Sequence, residues 1–139
     1  MVNRIERTFK KLKAEGNKAL VSFVTAGDPN MKTSEQILFD LPKYGVDIIE
    51  VGIPFSDPMA DGPTIQRSSQ RAILAGSNLS KTFTIINKFR KVNSSTPIVL
   101  MGYFNPIFQF GLKKFFSSCK DIGVDGIIVV DLPPEESEL

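Results

Sequence analysis

Residues 47–66, DIIEVGIPFSDPMADGPTIQ, form the most informative segment of this chain. They open with a β-branched apolar run that is typical of a buried strand, and Glu50 stands inside that run. A buried carboxylate must find a partner or hold a proton, and a carboxyl group tuned in this way is suited to general acid or base catalysis. A polar loop with two more carboxylates, Asp57 and Asp61, then leads to a helix that has Pro63 in its first turn. The local order is therefore strand, carboxylate, loop, carboxylate, helix.

Each of these acidic residues also has a purely structural interpretation. Glu50 can pair with a Lys or Arg of another strand. Such structural ion pairs shift the pKa of a carboxyl group just as catalytic sites do, so a shifted pKa would not distinguish the two. Asp61 can cap the helix that follows it. Asp57 and Pro58 together form an ordinary turn in many proteins. The residues alone leave the structural and the catalytic interpretations open.

The composition indicates one globular domain, or part of one, and limits which side chains are available for catalysis. The chain has 139 residues, 42% of them hydrophobic, and its 17 basic and 15 acidic residues give a net charge of +2. A net charge this small gives no general reason to expect binding to nucleic acid or to an anionic membrane. It has no apolar run of about 18 residues and no signal-peptide pattern, so we expect a soluble, cytosolic protein. Histidine is absent, which leaves Asp and Glu as the proton-transfer groups. The single cysteine, Cys119, excludes an internal disulfide and is expected to be inert core.

Strand-like runs alternate with helical patterns along the whole chain, which favours parallel βα units with helices on the outside. The predicted strands cover residues 19–25, a run from residue 47, 97–101 and 126–130. Helices are predicted at residues 2–14, at 63–76, around 112–119 and, from an acidic start, at 135–139. Two more are predicted from their caps, one with capping-box spacing from Thr33 to Gln36 and one capped by Ser80. Residues 102–106, GYFNP, are predicted to be a turn.

Four of these segments resemble the alpha subunit of tryptophan synthase. They are FVTAGDP at 23–29, IIEVGIPFSDPMADGPTIQ at 48–66, GYFNPIF at 102–108 and GIIVVDLPPEES at 126–137, and the second is the most specific. The resemblance implies a (β/α)8 TIM barrel, of which this α/β chain supplies four parallel strands. We therefore expect residues 1–139 to form a single partial domain, the N-terminal half of the barrel.

The resemblance also implies an activity. The family cleaves indole-3-glycerol phosphate by a retro-aldol step into indole and glyceraldehyde 3-phosphate, in the biosynthesis of L-tryptophan. It uses two carboxylates, which correspond here to Glu50 and Asp61, and it needs no cofactor of its own. Pyridoxal phosphate belongs to the beta subunit, with which the family forms an alpha2-beta2 tetramer.

Further site residues follow from the same resemblance. Asp57 and Pro58 correspond to a loop that faces the beta subunit. The indole pocket of the family corresponds to Phe23, Met101, Tyr103, Ile128 and Val130. Without the resemblance, Phe23, Tyr103 and Val130 would be interpreted as ordinary core.

Only four of the eight strands of such a barrel are found in this sequence, and the class typically has about 250 residues. The Gly-rich phosphate loops of the family belong to the other half, so we expect a fragment that is inactive alone. An alternative is a natural half-barrel that pairs with itself or with a partner half and serves as a binding or assembly module, for instance on the beta subunit. A different phosphosugar-binding barrel enzyme would share the fold but would not explain PFSDPMADGPTIQ at residues 54–66.

Overall fold

The computed structural model describes residues 3–136, which form one four-stranded sheet with the strand order β1-β2-β3-β4. Every neighbouring pair of strands is parallel. The strands are β1 (Val21–Thr25), β2 (Ile48–Gly52), β3 (Ile98–Gly102) and β4 (Gly126–Val129). The α-helices are α1 (Arg4–Ala14), α2 (Met31–Asp40), α3 (Pro63–Leu74), α4 (Leu79–Val92), α5 (Phe104–Phe110) and α6 (Leu112–Asp121), and short 3-10 helices cover Leu41–Tyr44 and Pro134–Glu136. The arrangement confirms the predicted half of a TIM barrel.

The outer face of the sheet forms the main core with the helices. Side chains alternate between the two faces of a strand, so the apolar residues at alternate positions of β2 and β3 point outward together. They pack against apolar side chains from α2, α4 and α6 in one buried cluster. The principal members of the cluster are Ile49, Val51, Ile98 and Leu100 of the sheet and Leu38, Ile86, Phe89 and Phe115 of the helices.

The inner face, which would line the interior of a closed barrel, is partly open. Two rows of residues cross it, because residues paired across parallel strands share a face. The first row is Phe23, Glu50, Val99 and Gly126, and the second is Thr25, Gly52, Met101 and Ile128. At its margins Val21 is 48% exposed and Ile128 is 41% exposed.

A buried ion cluster ties α1 and α4 to the N-terminal end of the sheet. Asp125, which precedes β4, accepts hydrogen bonds from Arg90 at 2.6 Å, from Arg4 at 2.9 Å and from the backbone N–H of Ile98 at 2.9 Å. The side chains of Arg90 and Asp125 are only 9% and 3% exposed. Burial lowers the pKa of Arg90 to about 10, and repulsion from Arg4 adds to this while attraction to Asp125 opposes it. The cluster therefore holds desolvated charges that depend on one another.

Two helix starts differ from the sequence prediction for the same reason. The helix predicted to be capped by Thr33 begins earlier, at α2, and Asn30 accepts the hydrogen bond from the Thr33 N–H. The helix predicted to be capped by Ser80 is α4, and Asn78 is its N-cap. Asn is a cap at least as strong as Ser or Thr, and its amide oxygen reaches the N–H three residues on. Both predicted caps were therefore wrong, Thr33 by three residues and Ser80 by two.

The GYFNP segment was predicted to be a turn, but α5 begins within it at Phe104. The Phe104 N–H donates to Asp131 Oδ1 at 2.7 Å, which satisfies one of the free N–H groups at the helix start. Pro106 is compatible with this helix because it lies in the first turn. The predicted helix at 135–139 is described only as far as Glu136, and residues 137–139 lie outside the described part of the chain.

The single cysteine lies in the core, as expected. Cys119 of α6 is buried, and burial raises the pKa of its thiol to about 11, so the group stays protonated and unreactive at neutral pH. Within residues 3–136, no helix is both long and apolar enough to cross a membrane.

The ion cluster generates a prediction about stability. Asp125→Asn keeps the shape of the side chain but leaves the buried Arg90 without its counter-charge. We expect a loss of about 3–5 kcal/mol in the free energy of unfolding, measured by urea denaturation. Glu6→Gln, which removes the carboxylate of an exposed ion pair with Lys10, is the matched control and should leave the unfolding midpoint unchanged. Equal midpoints for the two variants would contradict a structural role of the cluster.

Candidate active site

A cavity opens at the C-terminal ends of the strands, where parallel βα units place their functional loops. It encloses about 320 Å³ of empty space, including its open mouth. Its walls come from β1, β2 and β3, from the loop at residues 53–62 and from α3. They are largely apolar, with Asp61 as their one acidic side chain among the described residues; the lining is Phe23, Thr25, Gly52, Ile53, Phe55, Pro58, Asp61, Ile65, Ser69, Met101, Gly102, Tyr103 and Val130.

Tyr103 fixes the position of Asp61. Its hydroxyl donates to Asp61 Oδ2 at 2.9 Å and accepts from the Ala60 N–H at 3.0 Å. Burial raises the pKa of Tyr103, the hydrogen bond to Asp61 acts in the same direction, and the Ala60 N–H opposes it. The phenol therefore stays protonated at neutral pH and remains a donor to the carboxylate. Asp61 does not cap α3, whose N-cap is Gly62 without a side-chain hydrogen bond.

The start of the same loop is held by Ser69 of α3. The buried Ser69 hydroxyl accepts from the Phe55 N–H and donates to the Phe55 carbonyl, both at 2.8 Å. The Phe55 ring packs against the Tyr103 ring, with centroids 5.3 Å apart. The loop that carries Asp61 is thus attached to the scaffold at both ends by hydrogen bonds to its backbone.

Gly52 makes room for an aromatic wall of the cavity. A Cβ at this position would lie 2.5 Å from Cζ of Phe23, closer than real Cβ contacts allow. The Phe23 ring therefore lies directly over the backbone of β2. Glycine is required here for packing, because only a residue without a side chain lets the ring approach this closely.

Glu50 lies in the middle of β2 on the inner face, between Phe23 of β1 and Val99 of β3. It is half-buried and does not itself line the cavity, but it lies two residues before Gly52 on the same face, about 7 Å along the strand. No Lys or Arg among residues 3–136 forms an ion pair with Glu50. The ion-pair interpretation of Glu50 therefore finds no partner in the described part of the chain.

The remaining candidate residues are divided between the cavity and its surroundings. Met101 and Val130 line the cavity, as Phe23 and Tyr103 do. Ile128 lies on the inner face beside Met101 but outside the cavity lining. Asp57 is exposed and Pro58 is half-buried, and both lie on the outward loop between β2 and α3.

The sequence did not single out the residues that position the loop. Ser69 was one of several small residues in the predicted helix, and Tyr103 was expected only to line a pocket. A signal was present in PTIQRSSQRAIL, where Ser68, Ser69 and Ala72 fall on one helical face that would otherwise be apolar. Small and hydroxylated residues at such positions indicate a close approach of backbone from another segment.

Comparison with known proteins decides the family. Residues 9–139 match the family described as tryptophan synthase alpha chain. The chain belongs to this family. The match confirms the resemblance carried by the four sequence segments.

Solved structures of tryptophan synthases support this assignment. The chain is 45% identical, with a TM-score of 0.96, to tryptophan synthase subunit alpha from Legionella pneumophila str. Paris, covering 99% of this chain and 53% of that chain. It is 43% identical, with a TM-score of 0.94, to the alpha chain from Legionella pneumophila subsp. pneumophila, covering 99% and 52%. It is 31% identical, with a TM-score of 0.92, to the open form of tryptophan synthase from M. tuberculosis with BRD0059 bound, covering 99% and 55%.

These matches also show what fraction of the matched structures the chain represents. It spans about half the length of the solved structures that it matches. The half that it spans contains the cavity, Glu50 and Asp61. Among residues 3–136, no group of three or more Cys, Asp or Glu side chains is arranged to hold a metal ion.

The contact between Tyr103 and the loop predicts a measurable change. Tyr103→Phe removes the hydroxyl that accepts from the Ala60 N–H and donates to Asp61. We expect hydrogen exchange of the Ala60 amide to speed up roughly two- to tenfold, because a hydrogen bond of this kind contributes about 0.5–1.5 kcal/mol. Tyr44→Phe is the matched control, because Tyr44 is 83% exposed and should leave the exchange unchanged. An unchanged Ala60 rate in Tyr103→Phe would show that the hydroxyl does not hold the loop.

Proposed function

We propose that a tryptophan synthase alpha subunit that contains this chain cleaves indole-3-glycerol phosphate into indole and glyceraldehyde 3-phosphate, as a carbon-carbon lyase in L-tryptophan biosynthesis. The proposal rests on the position of Asp61. Its carboxylate lies in the wall of an otherwise largely apolar cavity at the C-terminal ends of the strands. In this view residues 1–139 are part of a single domain, the barrel.

The proposed role of Asp61 is to stabilise charge on the indole ring. Oδ2 is engaged by Tyr103, while Oδ1 has no hydrogen-bond partner among the described residues. A ring N–H that donates to Oδ1 would gain strength as positive charge develops on the ring nitrogen. An interaction that is stronger in the transition state than in the ground state lowers the barrier.

The proposed role of Glu50 is proton transfer. The protonated carboxyl group donates its proton to C3 of the indole ring, and the resulting carboxylate takes the proton of the side-chain hydroxyl next to C3. The O–H electron pair then forms the carbonyl of the aldehyde, and the electrons of the broken carbon-carbon bond return to the ring and restore indole. Glu50 ends the cycle protonated, so one carboxyl group serves as acid and then as base.

The apolar walls of the cavity suit the substrate proposed. Phe23, Met101, Tyr103 and Val130 offer surface for a planar aromatic ring, and Ile128 extends that surface along the inner face. Burying the ring against them gives affinity, and the single carboxylate gives orientation. We include these five residues in the proposed indole site.

The proposal extends to partners and cofactors. We propose that the exposed loop at Asp57 and Pro58 contacts the beta subunit of an alpha2-beta2 tetramer. In this view pyridoxal phosphate belongs to that subunit, and the chain itself uses no cofactor. The cytoplasmic location expected from the sequence stays a prediction.

A chimaeric enzyme tests the two carboxylates. These 139 residues would replace the matching first half of the Legionella pneumophila str. Paris subunit, whose fold they share with a TM-score of 0.96. We expect the chimaera to release indole from indole-3-glycerol phosphate, and Glu50→Gln and Asp61→Asn each to reduce the rate by about 10² or more. Asp121→Asn, which changes an exposed carboxylate of α6, is the matched control and should retain the rate.

The possible outcomes distinguish the loss of a catalytic role from the loss of the fold. Circular dichroism of every variant checks that the barrel is intact. A folded Glu50→Gln or Asp61→Asn enzyme with near-normal turnover would contradict the role assigned to that residue. An intact chimaera that turns over other phosphosugars but not indole-3-glycerol phosphate would contradict the substrate.

The isolated 139-residue chain provides a separate prediction. Its sequence has no Gly-rich phosphate-binding motif, so the substrate would lack the anchor whose binding energy supports catalysis. We expect no indole release above the uncatalysed rate from the purified chain at any substrate concentration that saturates the chimaera. Robust release by the isolated chain would contradict the requirement for the second half of the barrel.

A further inference from the structure

We propose that Ser69 of α3 is a positioning residue for the cleavage reaction. It acts on the carboxylate of Asp61 from a distance, through Phe55 and Tyr103. The inference rests on the proposed function, because it assigns to Ser69 a part in placing the carboxylate that faces the ring nitrogen of the substrate. All four residues belong to the lining of the same cavity.

The Ser69 hydroxyl is fully used by one neighbour. Ser69 is buried, and its hydroxyl accepts from the Phe55 N–H and donates to the Phe55 carbonyl, both at 2.8 Å. A hydroxyl has a single proton, and here the Phe55 carbonyl accepts it, so Ser69 has no proton left to donate to a substrate. Two hydrogen bonds to the same residue fix both the position and the orientation of the Phe55 backbone.

The segment that Ser69 holds has little other support. After Ile53, whose N–H donates to the Met101 carbonyl at 2.8 Å, the chain leaves the sheet. Within residues 3–136, the two bonds from Ser69 are the hydrogen bonds that reach the backbone of residues 54–56. Loss of this hydroxyl would leave a buried N–H and a buried carbonyl unpaired and would release the start of the loop.

The Phe55 ring connects this backbone to Tyr103. The two rings pack with centroids 5.3 Å apart, and Tyr103 is only 3% exposed. A side chain in such close packing cannot shift independently of its neighbours. Because the Tyr103 hydroxyl donates to Asp61 Oδ2 at 2.9 Å, a displacement of Phe55 is passed on to the carboxylate. The contacts therefore form one continuous path from Ser69 to Asp61.

The neighbouring serine has a different task. Ser68 is also buried, but its hydroxyl donates to the Ile65 carbonyl at 2.9 Å and lies 2.6 Å from the hydroxyl of Thr25. It fixes α3 against β1 and makes no hydrogen bond to residues 53–62 among the described contacts. Ser68→Ala therefore removes a buried hydroxyl from the same helix without releasing the loop, and it is the matched control for Ser69→Ala.

A double-mutant comparison in the chimaeric enzyme tests the path. We expect Ser69→Ala to lower kcat about tenfold and to change KM by less than about twofold, because a misplaced carboxylate loses an interaction that is strongest in the transition state. In the Asp61→Asn background, the same substitution should lower kcat by less than about twofold, because the group that Ser69 positions is already gone. A merely structural role would lower kcat by the same factor in both backgrounds.

Two further variants make the test specific. Ser68→Ala should change kcat by the same factor with and without Asp61→Asn, since it does not act through the loop. Phe55→Leu keeps both backbone hydrogen bonds to Ser69 but removes the ring that packs on Tyr103. We expect it to lower kcat about tenfold, and this loss should also disappear in the Asp61→Asn background. Circular dichroism checks the fold of each variant, and Phe55→Leu decides the test if Ser69→Ala does not fold.

The outcomes distinguish this inference from the proposed function. An Asp61→Asn enzyme with near-normal kcat would contradict the role of Asp61 itself, and the role of Ser69 would fall with it. If Asp61→Asn lowers kcat as expected, the proposed function stands. The role of Ser69 is then overturned by a folded Ser69→Ala enzyme with the parent kcat, by equal losses in both backgrounds, or by a folded Phe55→Leu enzyme with the parent kcat.

Discussion

The parallel pairing of β2 with β1 on one side and β3 on the other positions both the core and the candidate site. It buries Ile49 and Val51 against the helices and turns Glu50 to the inner face. It also ends at Gly52, so the loop that carries Asp61 leaves the sheet at the mouth of the cavity. A shift of one residue in this pairing would exchange the two faces and place Glu50 in the helix-covered core.

The loop after β2 is positioned by few, specific polar contacts. Ser69 holds the backbone of Phe55, and Tyr103 holds both Ala60 and the carboxylate of Asp61. A group fixed in this way needs little reorganisation when charge develops near it, which is the condition for electrostatic catalysis. The same contacts explain why a buried tyrosine, rather than a capping position, determines the geometry of Asp61.

The sequence predicted the four strands well, because each depends on local pattern, whereas the catalytic roles of Glu50 and Asp61 stay a prediction. The apolar run around Glu50 and the Pro and Gly residues that follow it specify strand and loop without reference to distant residues. What it could not predict depends on contacts between distant segments. The start of α5 needs Asp131, 27 residues further along the chain, and the position of Asp61 needs Tyr103, 42 residues away. Of the five pocket residues that the resemblance implied, Phe23, Met101, Tyr103 and Val130 line the cavity, and Ile128 lies outside its lining.

In the proposed mechanism, Asp61 and Glu50 act on one indole ring in this cavity. A crystal structure of the chimaera with an unreactive indole-bearing substrate analogue tests it most directly. We expect the ring N–H within about 3.2 Å of Asp61 Oδ1, with C3 turned toward Glu50 within reach of proton transfer. A ring bound among the same apolar walls with its N–H directed away from Asp61, or with C3 directed away from Glu50, would contradict it.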